Sequence, residues 1–202
     1  MAATRGRPRS FDPDAALDRA IEVFWRQGYE GTTLDDLTGA MGINRPSLYA
    51  AFGNKEATFR RAVERYAEVD MAYVGEALAE PTARRVAEHY LRSNVAAITQ
   101  PGKPAGCLSV QGGLAGSAED ERVVRFLADS RAGGERRMAD RFRRARDDGD
   151  LPPGEQPAEL ARYLSTVSAG LAVQAATGAS RRSLMAVAER ALRAFPGGAD
   201  GN

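Results

Sequence analysis

The stretch from Thr33 to Lys55, TLDDLTGAMGINRPSLYAAFGNK, constrains the chain more than any other. Thr33 followed by Asp36 forms a capping-box-like pair ahead of an apolar run. Leu34, Leu37 and Met41 follow at helical spacing, so one face of this helix seeks a core. Gly42 offers the left-handed conformation that ends a helix, and Ile43 can pack back as the chain turns. Asn44 caps a second helix with Pro46 in its first turn, where a missing backbone donor costs nothing. Leu48 and Phe52 share one face, Pro46, Ser47 and Ala50 lie opposite, and Gly53 stops the helix. A helix of barely two turns is not stable alone and must be held by neighbours. The surface it offers is small residues, a hydroxyl, one Arg and one Tyr, which suits close approach to a DNA major groove.

The pattern T-x-x-x-L-x-x-x-x-G-I-x-x-x-x-L-Y-x-x-F-x-x-K in this stretch resembles the helix-turn-helix of the tetracycline-repressor (TetR) family. The match runs back through Phe11 to Gly28 and forward into the helix begun by Lys55, about the first third of the chain. The pair Leu48-Tyr49, with Phe52 and Lys55, makes it specific. The resemblance implies an all-α protein with an N-terminal three-helix DNA-binding domain and a larger C-terminal helical domain for ligand binding and dimerisation. The corresponding division is a basic arm (1–10), a helix-turn-helix domain (11–56), a helical domain (57–196) and a tail (197–202).

On this resemblance the second helix of the motif is the recognition helix. Arg45 reads either as a bidentate donor to a guanine edge or as a phosphate clamp. Ser47 and Tyr49 match family positions that touch bases or phosphates, and Lys55 matches one that holds phosphate at a helix N-terminus. Pro46 lies on the same outward face, and Thr33 either donates to phosphate or only caps its helix. Few of these side chains read base edges, so part of the specificity is expected from DNA shape or from the arm. That arm, TRGRPRS, resembles an AT-hook: Arg5, Arg7 and Arg9 suit a narrow minor groove, the alternative being a solvated tail.

Composition excludes several other classes. The net charge is +1, and the acids and bases of residues 1–60 balance, so phosphate binding has to come from local placement. The hydrophobic fraction of 43 % and charged fraction of 27 % are those of a soluble globular chain, without a membrane span or signal peptide, and a cytoplasmic location is expected. Cys107 is the only cysteine and His89 the only histidine. Neither a cysteine-based metal site nor a histidine-based triad is expected, and the glycine-rich 112–117 segment lacks the lysine of a phosphate loop. No cofactor or metal is expected and no enzymatic activity.

Along the rest of the chain the periodicity predicts helices and no strands, about nine helices in all. Asp12-Pro13 opens the first, with Leu17, Ala20, Ile21 and Phe24 inward and Gly28 near its end. A single long helix is predicted from Asn54 to about Ala79, linking the DNA-facing unit to the remainder. Helices over 82–100 and 117–148 follow, the latter capped by Ser117 and weakened or bent by Gly133-Gly134. Two final helices span 158–177 and 180–195.

In TetR-like proteins the central helices enclose a pocket whose small-molecule ligand moves the DNA-binding units apart. The side chains proposed for it are Tyr66, Tyr90, Asn94, Cys107, Gln111, Phe126, Phe142, Tyr163 and Gln174, each with core packing as its alternative. Asn94 falls on an apolar stripe, so its amide either bonds within the core or lines a cavity. The last two helices are expected to build a homodimer through Ala169, Ala172, Val173, Ala176, Leu184, Val187, Ala188, Ala191 and Leu192, or else to pack within one chain. The resulting expectation is a ligand-responsive regulator, a repressor by preference, that binds double-stranded palindromic DNA as a homodimer. A helical dimer that binds a small molecule or a protein and has lost DNA binding is the alternative.

Overall fold

The computed structural model of the chain describes residues 11–111 and 121–197. Among them are ten helices and no strands. Helix α1 (Pro13–Gly31) begins where the Asp12 carboxylate accepts from the backbone N–H of Asp14 at 2.9 Å. It buries the stripe Leu17, Ala20, Ile21 and Phe24, and also Trp25. Gly28 leaves helical geometry at φ 72°, which kinks the helix before its last turn. Helix α2 (Leu34–Met41) carries a complete capping box: Asp36 N–H donates to Thr33 Oγ1 at 3.1 Å and Thr33 N–H to Asp36 Oδ2 at 2.8 Å. Gly42, at φ 67° and ψ 33°, turns the chain in a region where an L side chain would be strained.

Helix α3 (Arg45–Phe52) is capped by Asn44, which accepts from Ser47 N–H at 2.9 Å. Its inner face, Leu48 and Phe52, packs into a core with Leu37, Met41, Phe24 and Phe59. Each fully buried side chain of this size contributes about 1.5–3 kcal/mol, and the helix is too short to stand without them. Phe24 and Tyr29 meet the Phe59 ring edge-on, at 4.9 and 5.1 Å between centroids. Helix α4 (Lys55–Val69), capped by Asn54, runs from this cluster along α1.

The single helix predicted from Asn54 to Ala79 is two. Helix α4 ends at Val69 and α5 (Ala72–Leu78) starts after a break at Asp70-Met71. Neither glycine nor proline marks the break. Asp70 is held by an ion pair with Lys103 from the loop after α6 (Ala83–Ile98), and Asp70 and Met71 N–H both return to Tyr66 O. The cause is tertiary, and it raises the count from nine helices to ten.

A four-residue helix, α7 (Leu108–Gln111), follows the 100–106 loop. Helix α8 (Glu121–Asp147) is continuous through Gly133-Gly134, so the predicted interruption is absent. Its partner α9 (Pro157–Ala176) packs along it, and Arg162 on α9 holds Glu135, one residue beyond the glycines, at 2.8 Å. Side-chain packing and this pair offset the weak helix propensity of the two glycines. The Ser117 cap lies outside the described residues. Helix α10 (Arg181–Ala194), capped by Ser180, closes the bundle against α6 and α9. Arg84 on α6 donates to Leu192 O at 2.6 Å and fastens that contact.

Candidate functional site

The outward face of α3 carries Arg45, Pro46 and Tyr49, all exposed, and the half-buried Ser47. Tyr49 is 50 % exposed, although its neighbour Leu48 is fully buried. A large aromatic side chain standing in water on a helix fixed by its opposite face is the most distinctive feature of this surface. Arg45 makes a bidentate pair with Asp35 of α2, with Nη2–Oδ2 at 2.8 Å and Nε–Oδ1 at 3.1 Å. Asp35 holds the guanidinium beside the α3 N-terminus, and a guanine or phosphate contact has to displace it. Both side chains are exposed, so exchange for a nucleic-acid partner costs little, about 0–1 kcal/mol for such a pair.

Thr33 Oγ1 donates to Asp36 Oδ2 at 2.6 Å, so capping already employs the hydroxyl proposed for phosphate. These bonds hold the Asp36 carboxyl below its usual range. Lys55 opens α4, its Nζ 4.4 Å from the centre of the Tyr29 ring and 3.4 Å from Glu30 O. A cation at a helix N-terminus opposes the helix dipole and, like the first-turn N–H groups, favours an anion beside it. Arg61 is a further basic residue at this face: it donates to Ala51 O at 2.6 Å and lies over Phe52, fastening the C-terminal turn of α3. Arg60 is instead paired with Glu56 and stacked 4.6 Å from the Phe126 ring. Arg5, Arg7 and Arg9, and the 112–117 segment, lie outside the described residues.

Behind this face the helices of the larger bundle surround a cavity of about 160 Å³. Of the pocket residues proposed from sequence, Tyr90, Asn94 and Cys107 line it. The others do not, for identifiable reasons. Tyr66 packs edge-on to Trp25 at 5.0 Å, and Phe142 packs on Phe195 at 5.4 Å. Gln111 accepts from Trp25 Nε1 at 2.9 Å, which ties α7 to α1. Phe126 lies under Arg60, Tyr163 donates to Ala191 O at 3.1 Å, and Gln174 is exposed. The walls instead include Met71 at the α4–α5 break, Val74, Met138 and Ser168. A neighbouring space of about 310 Å³, lined by Met71, Gly75, Leu78 and Arg137, shares the Met71 and Val74 wall. Burial pushes the Tyr73 and Tyr90 phenols up, Tyr90 against the opposing effect of its bond to Ser168, so both stay neutral.

Of the proposed dimer residues, Ala172, Leu184, Ala188, Ala191 and Leu192 are buried within the chain itself. Those side chains join α9 and α10 to their own bundle and are not free to meet another copy. Val187 and Val173 remain open, at 53 % and 38 %, with Ala176 exposed and Ala169 on the cavity wall. His89 lies between Glu80, at 2.9 Å, and Glu76, at 3.6 Å. No helix among the described residues is long and apolar enough to cross a membrane.

Residues 16–62, from α1 into α4, match the family model of bacterial regulatory proteins of the tetR family. Over 195 residues the chain is 34 % identical to the HTH-type transcriptional repressor ComR of Escherichia coli K12, spanning 96 % of this chain and 93 % of that one. The chain belongs to the TetR family of DNA-binding transcriptional regulators. A cysteine-substituted form of the TetR-family regulator CifR, complexed with 26-bp double-strand operator DNA, is 46 % identical, with a TM-score of 0.89 over 94 % of this chain and 100 % of that one. A TetR-family regulator from Rhodococcus sp. RHA1 is 43 % identical, with a TM-score of 0.63 over 91 % of this chain and 98 % of that one. The all-α TetR fold, with a helix-turn-helix ahead of a larger helical domain, is thereby shared with transcriptional regulators, among them repressors.

Proposed function

We propose that this protein is a dimeric repressor that grips a palindromic operator with α3 and releases it when a small molecule enters the interior cavity. The observation that carries the reading is the α3 surface: Tyr49 stands exposed beside Arg45, Pro46 and Ser47 on a helix anchored by Leu48 and Phe52. The likeness to CifR, solved in complex with operator DNA, supports DNA binding by this chain. Lys55 and the α4 N-terminus supply a phosphate clamp, and Arg5, Arg7 and Arg9 a minor-groove arm. Residues 11–56 act as the DNA-binding unit and 57–196 as the unit that binds effector and partner.

Two copies meet through the exposed faces of α9 and α10 around Val173 and Val187. Each dimer then presents two α3 helices about 34–36 Å apart, one turn of DNA. The effector acts through α4: its last turn at Ala67 lines the cavity and its first residue, Lys55, faces DNA. By linkage, a ligand that weakens operator binding binds the operator-bound form more weakly by the same factor. The operator places the protein in the cytoplasm.

The test is retention of source-genome fragments at a stated salt concentration by the wild type and by Tyr49→Ala and Lys55→Ala variants. Specific retention by the wild type, weakened in both variants with helicity unchanged, is the expected result. Equal retention by all three removes α3 from the interface.

A further inference from the structure

The cavity among α5, α6, α8 and α9 contains a polar group that the fold leaves incomplete. Asn94 is 3 % exposed and lines the cavity. Its Nδ2 donates to Tyr73 Oη at 3.0 Å, and its Oδ1 has no hydrogen-bond partner. Turning the amide over would let Tyr73 donate to the oxygen and would leave the NH2 bare instead. With the amide as placed, its buried oxygen is unsatisfied, a state that native interiors avoid.

The size and charge of the surroundings narrow what can complete it. At about 160 Å³ the space holds at least one ring, close to the ~150 Å³ cavity that takes up a benzene, and the adjoining space of about 310 Å³ leaves room for more. Met71, Val74 and Met138 supply apolar wall, as an aromatic ring or short hydrocarbon requires. The charged groups near it are committed or peripheral. Arg131, which also donates to Ser109 O at 2.6 Å, and Arg137 are both exposed, and Glu135 is paired with Arg162. Among the described residues no buried one on the wall is charged, so an ionised ligand beside Asn94 would lose its hydration without a counter-charge there.

We infer that the cavity binds a small uncharged alcohol or phenol whose hydroxyl pairs with the Asn94 amide. A hydroxyl both donates and accepts, so it satisfies the amide in either orientation. The inference rests on the effector role proposed for this cavity and gives it a ligand class.

Isothermal titration of the full-length protein with phenol, benzyl alcohol, toluene and benzoate tests it. The two hydroxyl compounds are expected to bind about three- to tenfold more tightly than toluene, the worth of one neutral hydrogen bond, and benzoate more weakly than either. In Asn94→Leu the hydroxyl advantage disappears while toluene binding persists. Gly134→Leu, at a helical cavity-wall position where an added Cβ meets nothing within 4 Å, fills the space and removes all binding. Toluene equal to phenol, benzoate tighter than phenol, a hydroxyl preference that survives Asn94→Leu, or no binding by any neutral probe overturns the inference. The wild-type comparison stands even if the Asn94 variant folds poorly. Retention of genomic DNA without phenol binding would defeat the ligand class alone, and phenol binding without DNA retention would defeat the repressor alone.

Discussion

Arg45 and Asp35 form an exposed bidentate pair at the edge of the DNA-facing surface. Since pairs of this kind stabilise a fold by only about 0–1 kcal/mol, the arrangement is better understood as one that positions a guanidinium and tempers the local charge. Asp35→Asn is expected to leave the melting midpoint nearly unchanged and to strengthen DNA binding, because one negative charge leaves a surface that approaches phosphate. Anisotropy titrations at several salt concentrations check this; weaker binding by the variant would mean that Asp35 holds Arg45 in its productive geometry. Thr33 is different, because its hydroxyl is engaged with Asp36 and its replacement removes a helix cap as well as any phosphate contact. Such a variant would not distinguish the two roles.

Helix α8 runs unbroken through Gly133-Gly134, and an added Cβ at Gly133 would meet only Arg136 Nη2, at 3.7 Å. Gly133→Ala is therefore expected to raise stability by about 0.5–1 kcal/mol, read from chemical denaturation; a loss of stability would show that α8 needs glycine there. Elements whose limits depend on local chemistry were legible in the sequence. The Thr33–Asp36 box, the Gly42 turn, the Asn44 cap with Pro46, and the Ser180 cap all lie where their residue types place them. The α4–α5 break was not legible, because Asp70 is held there by Lys103, which is remote in sequence. Nor was most of the cavity wall. Aromatic residues such as Phe142 and Tyr66 pack against other rings, whereas the open space is bordered by Met71, Ser168 and Gly134, whose types carry no such signal. The Trp25–Gln111 bond, which joins α1 to the segment beside the cavity, likewise depends on a long-range meeting of two helices.

At the scale of the whole molecule, carboxylates tie the helices together. The Asp18 carboxyl is lowered by its bond to Arg65, Glu80 by His89 and Glu189 by Arg92. A carboxyl lowered in the folded state contributes stability fully above its unfolded value and loses it as pH falls through its folded value. The melting midpoint is thus expected to be level with respect to these groups above about pH 5 and to fall progressively below it; no decline down to pH 3 would show these pairs to be energetically idle. The assembly depends on a different surface. Val187→Glu changes a side chain that is 53 % exposed, so the monomer should keep its fold while sedimentation shifts from dimer to monomer and operator affinity drops. A variant that remains dimeric would place the interface elsewhere. The central claim is tested most directly by a hydroxyl-radical footprint on the genomic fragment that the wild type retains most strongly. Two protected half-sites related by a dyad, about one helical turn or ~34–36 Å apart, are the predicted result. A single protected half-site, or no protection by a well-folded dimer, would contradict it.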